Sequence, residues 1–161
     1  MSQIDYRIRP AIEDEIPTVY EMIRELAVFE KLEHQLVGTA EDLASAVASD
    51  NGPEILVAEE DEQTLIGYAL FFHNFSTFQC RRGLYLEDLY VRPVFRGRGV
   101  GTRLLLRLRE LANERGCGRM EWAVLDWNQQ AIDFYRSLGA EVLPDWRIVR
   151  FSKESMEHPS P

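Results

Sequence analysis

Cysteine and histidine are scarce in this chain: 161 residues hold two cysteines, Cys80 and Cys117, and three histidines. Two thiols cannot build a disulfide framework, and no His or Cys cluster has metal-site spacing; both cysteines read as reduced thiols, and no metal is expected. No apolar run approaches the ~20 residues of a bilayer-spanning helix, and the N-terminal MSQIDYRIRP has neither an apolar core nor a cleavage signal. No membrane partner is therefore expected, and the cytoplasm is the expected compartment. Basic residues are also in deficit, 18 Lys and Arg against 27 Asp and Glu, for a formal net charge of −9. That balance argues against nucleic acid, whose phosphates need a basic face. Repeats and linker-like tracts are missing, so the sequence predicts one domain over residues 1–152 and a loose tail over 153–161.

One stretch organises what is present. Leu84 to Val91 is rich in aromatic and branched residues and has no internal Gly or Pro, which predicts a buried strand. After Pro93 the turn Arg96-Gly97-Arg98-Gly99-Val100-Gly101 leads into apolar residues at Leu104, Leu108, Leu111 and Ala112, a helical spacing. Strand, glycine-rich turn and helix N-terminus together present backbone N–H groups and the positive end of a helix dipole to one point, an arrangement that binds phosphate. A Walker A loop is excluded because Thr102 and Arg103, not Lys-Ser or Lys-Thr, follow Gly101. A dinucleotide fingerprint is excluded by the two-residue spacing of Gly97, Gly99 and Gly101. Arg-x-x-Gly-x-Gly remains. A positive patch from Arg92 to Arg115 on an acidic chain suits an anionic ligand, while the acidic remainder favours approach of a cationic one.

Around it the pattern predicts a first strand at Tyr6 to Arg9. A helix from about Asp14 buries Ile16, Val19, Tyr20, Ile23 and Ala27, and Thr39 caps a second helix, Ala40 to Ala48. Ile55 to Glu59 and Leu65 to Asn74 read as an antiparallel pair. Beyond the long helix, Gly116 is a C′ glycine and Met120 to Leu125 a further strand. A short helix, Gln129 to Leu138, and two last strands, Glu141 to Leu143 and Trp146 to Phe151, complete a mixed α/β order.

The Arg-x-x-Gly-x-Gly run resembles the pyrophosphate loop of the GNAT acetyltransferases, which bind acetyl-coenzyme A, and the element order matches that fold along nearly the whole chain. Tyr85 to Val91 is similar to the central strand of the diamine (spermidine/spermine) acetyltransferase branch. Ala123 to Asn128, with Ala131, Phe134-Tyr135 and Leu138-Gly139-Ala140, is similar to its closing motif, and Glu25 to Glu30 to its first helix. Phe75-Ser76-Thr77-Phe78 and Leu125-Asp126-Trp127-Asn128 look closer to the thialysine-acetylating members. Ser76-Thr77 stands where the polyamine enzymes carry an Asp, and loss of that anion argues against spermidine; Phe29 stands where they carry a Tyr, which removes one hydroxyl from the expected amine site. The resemblance implies a mixed, mostly antiparallel central sheet with helices on both faces, acetyl-CoA as cofactor, a small-molecule amine as substrate, and a homodimer.

The same resemblance distributes the roles. Leu89, Tyr90 and Val91 through their backbone, then Arg96, Gly97, Arg98, Gly99, Val100, Gly101 and Thr102, would hold the coenzyme; Asn128 would touch its pantetheine arm, or act only as a helix N-cap. Glu87 would be the base that takes a proton from the attacking ammonium, and Tyr135 the acid that protonates the leaving sulfur. Without the resemblance, Glu87 and Asp88 equally fit a surface pair and Tyr135 a packed core tyrosine. Phe29, Glu30, Glu33, Glu87, Asp88 and Trp127 would line the acceptor side, Glu30 and Glu33 fitting a solvated helix end as well. In a regular strand Asp88 points away from Glu87, so both serve one site only if a bulge or twist intervenes. A protein lysine or N-terminal acetyltransferase and a non-catalytic acyl-CoA-binding module are the alternatives.

Overall fold

The computed structural model describes residues 5–61 and 64–158. The chain packs as two compact units, Met1–Ala123 and Val124–Pro161. In the first, five strands form one sheet in chain order: β1 (Arg7–Pro10), β2 (Glu54–Glu59), β3 (Leu65–Ser76), β4 (Arg81–Val91) and β5 (Met120–Glu121). β1 to β4 are antiparallel; β5 runs parallel to β4. On one face Ile16, Val19 and Met22 of α1 (Ile16–Glu30) pack with Ile55, Val57, Tyr68, Leu70 and Tyr90, and α2 (Ala40–Val47) closes the edge of this cluster. Leu56, Phe71, Leu84 and Leu86, alternate positions of the same strands, are buried on the other face. That face belongs to α3 (Val100–Glu114), which buries Leu104 and Leu108 completely against β2, β3 and β4. The expected mixed sheet between helices is the one that forms.

Local chemistry explains the element ends. Thr39 and Asp42 complete a reciprocal capping box at α2, with Thr39 Oγ1 accepting from the Asp42 N–H at 3.1 Å; such caps contribute about 1 kcal/mol. Gly116, after α3, is left-handed at φ 66°, as a C′ glycine should be. In α1 the buried positions are Ile16, Val19 and Met22. Tyr20 is only half-buried and donates its hydroxyl to the Gly38 carbonyl at 2.6 Å.

Glu59 is a buried carboxylate, 4% exposed. It accepts from Arg9 Nε at 3.0 Å and Arg7 Nε at 2.5 Å, while Arg9 also grips Glu15 at 2.9 and 2.5 Å. Hydrogen bonds from Arg9 first, then Arg7, hold the Glu59 carboxyl down at about 2. A depressed acid stabilises the fold above its unfolded value and loses that contribution as pH falls through the folded one. Glu59→Gln is therefore expected to lower the thermal midpoint at neutral pH. The gap from the parent should close as the pH approaches 2, which melting curves across pH will check.

The second unit departs from the sequence reading. α4 (Gln129–Ser137) forms and is N-capped by Asn128, whose side-chain oxygen accepts from the Ala131 N–H at 3.2 Å. The expected strands Glu141 to Leu143 and Trp146 to Phe151 do not form, and Met120 to Leu125 is a strand only at Met120–Glu121. Their composition favours strands, but a strand exists only through a ladder to a neighbour. Among the described residues none pairs with 141–151, where Trp146, Ile148, Val149 and Phe151 stay exposed. The described part of the expected loose tail holds a short helix, α5 (Lys153–Glu157), capped by Ser152. No helix among the described residues is long and apolar enough to cross a membrane.

Candidate active site

The register of β3 on β4 slips between Leu70 and Phe71: Leu70 faces Asp88, whereas Phe71 faces Leu86. Glu87 is the extra residue of a β-bulge. Tyr68 and Leu70 point toward α1, so their partners Tyr90 and Asp88 do too. Before the bulge Tyr85, opposite Phe72, shares that face, and Glu87 follows it by alternation. The inserted residue thus puts both carboxylates on the α1 side, which a regular strand would forbid. Glu87 is exposed at the mouth while Asp88 lies deeper.

Asp88 Oδ2 accepts from the Tyr68 hydroxyl at 3.3 Å. Burial, then the charge of Glu87, push the Asp88 carboxyl up to about 6, with Glu30 adding to the rise and the Tyr68 hydrogen bond opposing it. Desolvation also raises Glu30. Burial raises the Tyr68 phenol further, with Asp88 and Glu30 contributing. Asp88 therefore lies against a buried phenol, with the charges of Glu87 and Glu30 near enough to act on it. Tyr68 is the site residue that the sequence reading missed; mid-strand aromatics carry no local mark of function. Glu33 sits beyond α1 in a one-turn 3-10 helix, exposed, with no tie to this group among the described contacts.

The edge of β4 is open where the site needs it. β5 pairs only with Leu84 and Tyr85, so from Leu86 onward β4 has no strand paired to it on that side among the described residues. The Arg92 N–H donates to the Ile66 carbonyl at 2.9 Å. By alternation the backbone groups of Tyr90 point to β3 and those of Leu89 and Val91 to the open edge. Leu89 and Val91 thus suit the backbone role expected of them. Tyr90 does not: its backbone is taken up by β3, and its hydroxyl donates to Glu25 at 3.1 Å.

Beyond β4 the loop Arg96 to Gly99 is exposed, with Gly97 and Gly99 both left-handed at φ 73° and 81°. Gly99 is the N-cap of α3 and offers no side-chain cap, and the first intrahelical donor is Arg103, bonding Gly99 at 2.9 Å. The N–H groups of Val100, Gly101 and Thr102 are left for a ligand. The Val100 side chain is buried, so only its backbone can take part. The Arg96 guanidinium turns back onto the Val91 carbonyl, 2.8 Å from Nε.

In the second unit Tyr135 lies half-buried on α4, its ring 5.3 Å from that of Phe134, and Trp127 is 54% exposed ahead of the Asn128 cap.

The profile of the acetyltransferase (GNAT) family matches residues 16–140. A thialysine N-epsilon-acetyltransferase of Mus musculus is 39% identical over 161 aligned residues, covering 93% of this chain and 94% of that protein. An L-ornithine N5-acetyltransferase of Arabidopsis thaliana is 29% identical, covering 94% and 86%. Among solved structures, an aminoglycoside acetyltransferase from an uncultured soil metagenomic sample superposes with a TM-score of 0.74 at 21% identity, covering 91% of this chain and 94% of that one. Family, fold and open-edged site agree: the chain belongs to the GNAT acetyltransferases and is an N-acetyltransferase.

Proposed function

We propose that this enzyme moves an acetyl group from acetyl-coenzyme A to the primary amine of a small cationic molecule, a thialysine-like amino acid or a diamine, by direct attack in a ternary complex. The observation that carries the substrate class is the bulge at Glu87, which turns two carboxylates to one face beside Glu30. Such a site suits a cation on a slender chain. The relatives named for thialysine and L-ornithine support that choice.

The residues present fit the coenzyme. The outward C=O of Leu89 and the N–H of Val91 can pair with the amides of its pantetheine arm as an added strand, which leaves the Leu89 N–H for the thioester carbonyl. The free N–H groups at Val100, Gly101 and Thr102, with the Gly97-Arg98-Gly99 turn, suit its diphosphate. When bound, acetyl-CoA supplies an activated thioester. An alkyl ammonium with a pKa of about 10.4 is neutral in roughly one molecule per few thousand at pH 7. Glu87, at the mouth, takes its proton directly or through water, while Asp88 and Glu30 hold the cationic substrate. The Leu89 N–H donates to the carbonyl oxygen as negative charge develops there. By the resemblance, Tyr135 would give a proton to the departing sulfur, and Asn128, its oxygen engaged in the cap, would offer its amide N–H groups to the coenzyme. Phe29 belongs to the acceptor side in the first unit, and the resemblance assigns Trp127 to it as well. A cytoplasmic homodimer is the state that accords with the resemblance.

Acetyl-CoA turnover with thialysine, L-ornithine, 1,4-diaminobutane and a lysine-containing peptide tests the reading. At least one small amine should exceed the peptide in kcat/KM by about tenfold or more, 1.4 kcal/mol. Turnover of the peptide alone, or of none, overturns it. Gly99→Val forces a branched side chain to φ 81°, where left-handed backbone costs roughly 1–2 kcal/mol. Space is not the obstacle, since the nearest atom to an added Cβ is the Tyr6 hydroxyl at 3.8 Å. Coenzyme affinity measured by calorimetry should fall about tenfold or more, with amine KM at saturating coenzyme little changed.

A further inference from the structure

Arg96 opens the glycine-rich run, yet its side chain leaves that loop. Its Nε donates to the Val91 carbonyl at 2.8 Å, and its guanidinium lies 4.9 Å from the Phe29 ring centroid and 5.5 Å from that of Tyr90. Three elements meet on this one side chain: the loop, the last residue of β4 and the final turn of α1. Phe29 is followed directly by Glu30, whose charge acts on Asp88. Farther up α1 a separate tie exists, where Glu25 accepts from the Tyr90 hydroxyl at 3.1 Å and from Arg92 Nε at 3.2 Å. That tie anchors the helix one turn before its end. Beyond it, Val28 and Phe29 are 58% and 42% exposed, and the helix stops at Lys31 in a left-handed conformation, φ 60°. The carbonyls of Ala27 and Val28 accept from the N–H groups of Leu32 and Lys31 at 2.8 and 3.1 Å, so the turn is closed by its own backbone and meets the loop through Phe29.

We propose that Arg96 is a positioning residue that couples the two substrate sites: a loop ordered by the coenzyme stacks Arg96 on Phe29 and thereby fixes the end of α1, with Glu30, in its amine-facing position. The inference rests on the acetyl-CoA reading of the loop. A guanidinium is suited to this link because it is planar, stacks on aromatic faces and keeps its N–H edge for a carbonyl, which an ammonium cannot do at once. The coupling is reciprocal, so bound amine raises coenzyme affinity by the factor with which coenzyme raises amine affinity. The loop and the carboxylates then fill together.

Backbone hydrogen exchange on the full chain, with and without saturating coenzyme A and no amine, reads the link directly. In the parent, coenzyme should slow exchange at residues 96–103 and, about tenfold, at 26–31. Phe29→Leu removes the ring and leaves the loop's own residues unchanged: protection at 96–103 should persist and that at 26–31 disappear, with Phe29→Tyr restoring it. A side chain that served only packing would change exchange at 26–31 equally with and without coenzyme. Protection of the loop without protection of α1 in the parent overturns the coupling and leaves the acetyl-CoA reading standing. Equal α1 protection in the parent and Phe29→Leu does the same. If coenzyme neither binds by calorimetry nor protects the loop, the acetyl-CoA reading fails and the coupling with it.

Discussion

Replacing Asp88 with asparagine is expected to raise KM for the amine by about 10²-fold and, at the same time, to make the protein more stable at neutral pH. The first effect follows from removing one member of a desolvated charge pair, which costs roughly 2–5 kcal/mol. The second follows from the sign of the pKa shift. Burial and the neighbouring Glu87 raise the Asp88 carboxyl from 3.8 to about 6. A raised acid favours the native state below its unfolded value and loses that contribution as pH climbs through the folded one. Above about 6 the ionised side chain therefore costs the fold of order 3 kcal/mol, at about 1.36 kcal/mol per pKa unit. Asparagine keeps an acceptor for the Tyr68 hydroxyl without the charge. Melting curves of the two proteins should coincide near pH 3.5, separate between about 4 and 6, and differ most above that. A variant less stable than the parent at pH 8 would mean that Asp88 is stabilised by a cation-like partner instead. Glu87→Gln separates the roles: kcat should fall by about 10²-fold with little change in amine KM, as expected for loss of a general base. The acid limb of the parent's kcat/KM profile should move to lower pH in Asp88→Asn, because the carboxyl raised to about 6 is gone.

The sequence carries most of the scaffold because its signals are local. The Thr39 and Asn128 caps, the strands β2 to β4, the left-handed Gly97 and Gly99 and the amphipathic α3 each depend on neighbours within a few residues. What it hides is set by distant partners. The bulge at Glu87 exists only in register with Leu70 and Phe71, so the shared face of Glu87 and Asp88 cannot be read from residues 84–91. Tyr68 gains its role from lying opposite Tyr90 and donating to Asp88, twenty residues on. Trp146 to Phe151 has a strand's composition without a ladder, which a pattern rule cannot distinguish from a strand. Arg96 is the instructive case: its position in the motif points to phosphate, whereas its side chain packs on Phe29, far away along the chain. Motif spacing reports where a backbone goes and says little about where a long side chain rests.

Tyr135→Phe is expected to reduce kcat by about 10²-fold to 10³-fold while leaving coenzyme affinity within about threefold. The change deletes one oxygen and keeps the ring that lies 5.3 Å from Phe134, so the packing of α4 and its Asn128 cap remain. Melting curves taken alongside separate the two parts, since a large loss of stability would assign the hydroxyl a structural one. The chemical part is separable because a thiolate needs a proton only to the extent that it leaves badly. With acetyl thioesters of more acidic thiols on the same pantetheine scaffold, the parent's advantage should shrink steadily. A constant ratio across that series would show that the phenol does not act on the sulfur. Asn128→Ala provides the contrast, since it removes the cap, worth about 1 kcal/mol, along with its amide contacts. It should lower stability and coenzyme affinity together but leave the leaving-group dependence as steep as in the parent. Only loss of the group that protonates the sulfur steepens that dependence, which ties the assignment of Tyr135 to a slope rather than to a single rate.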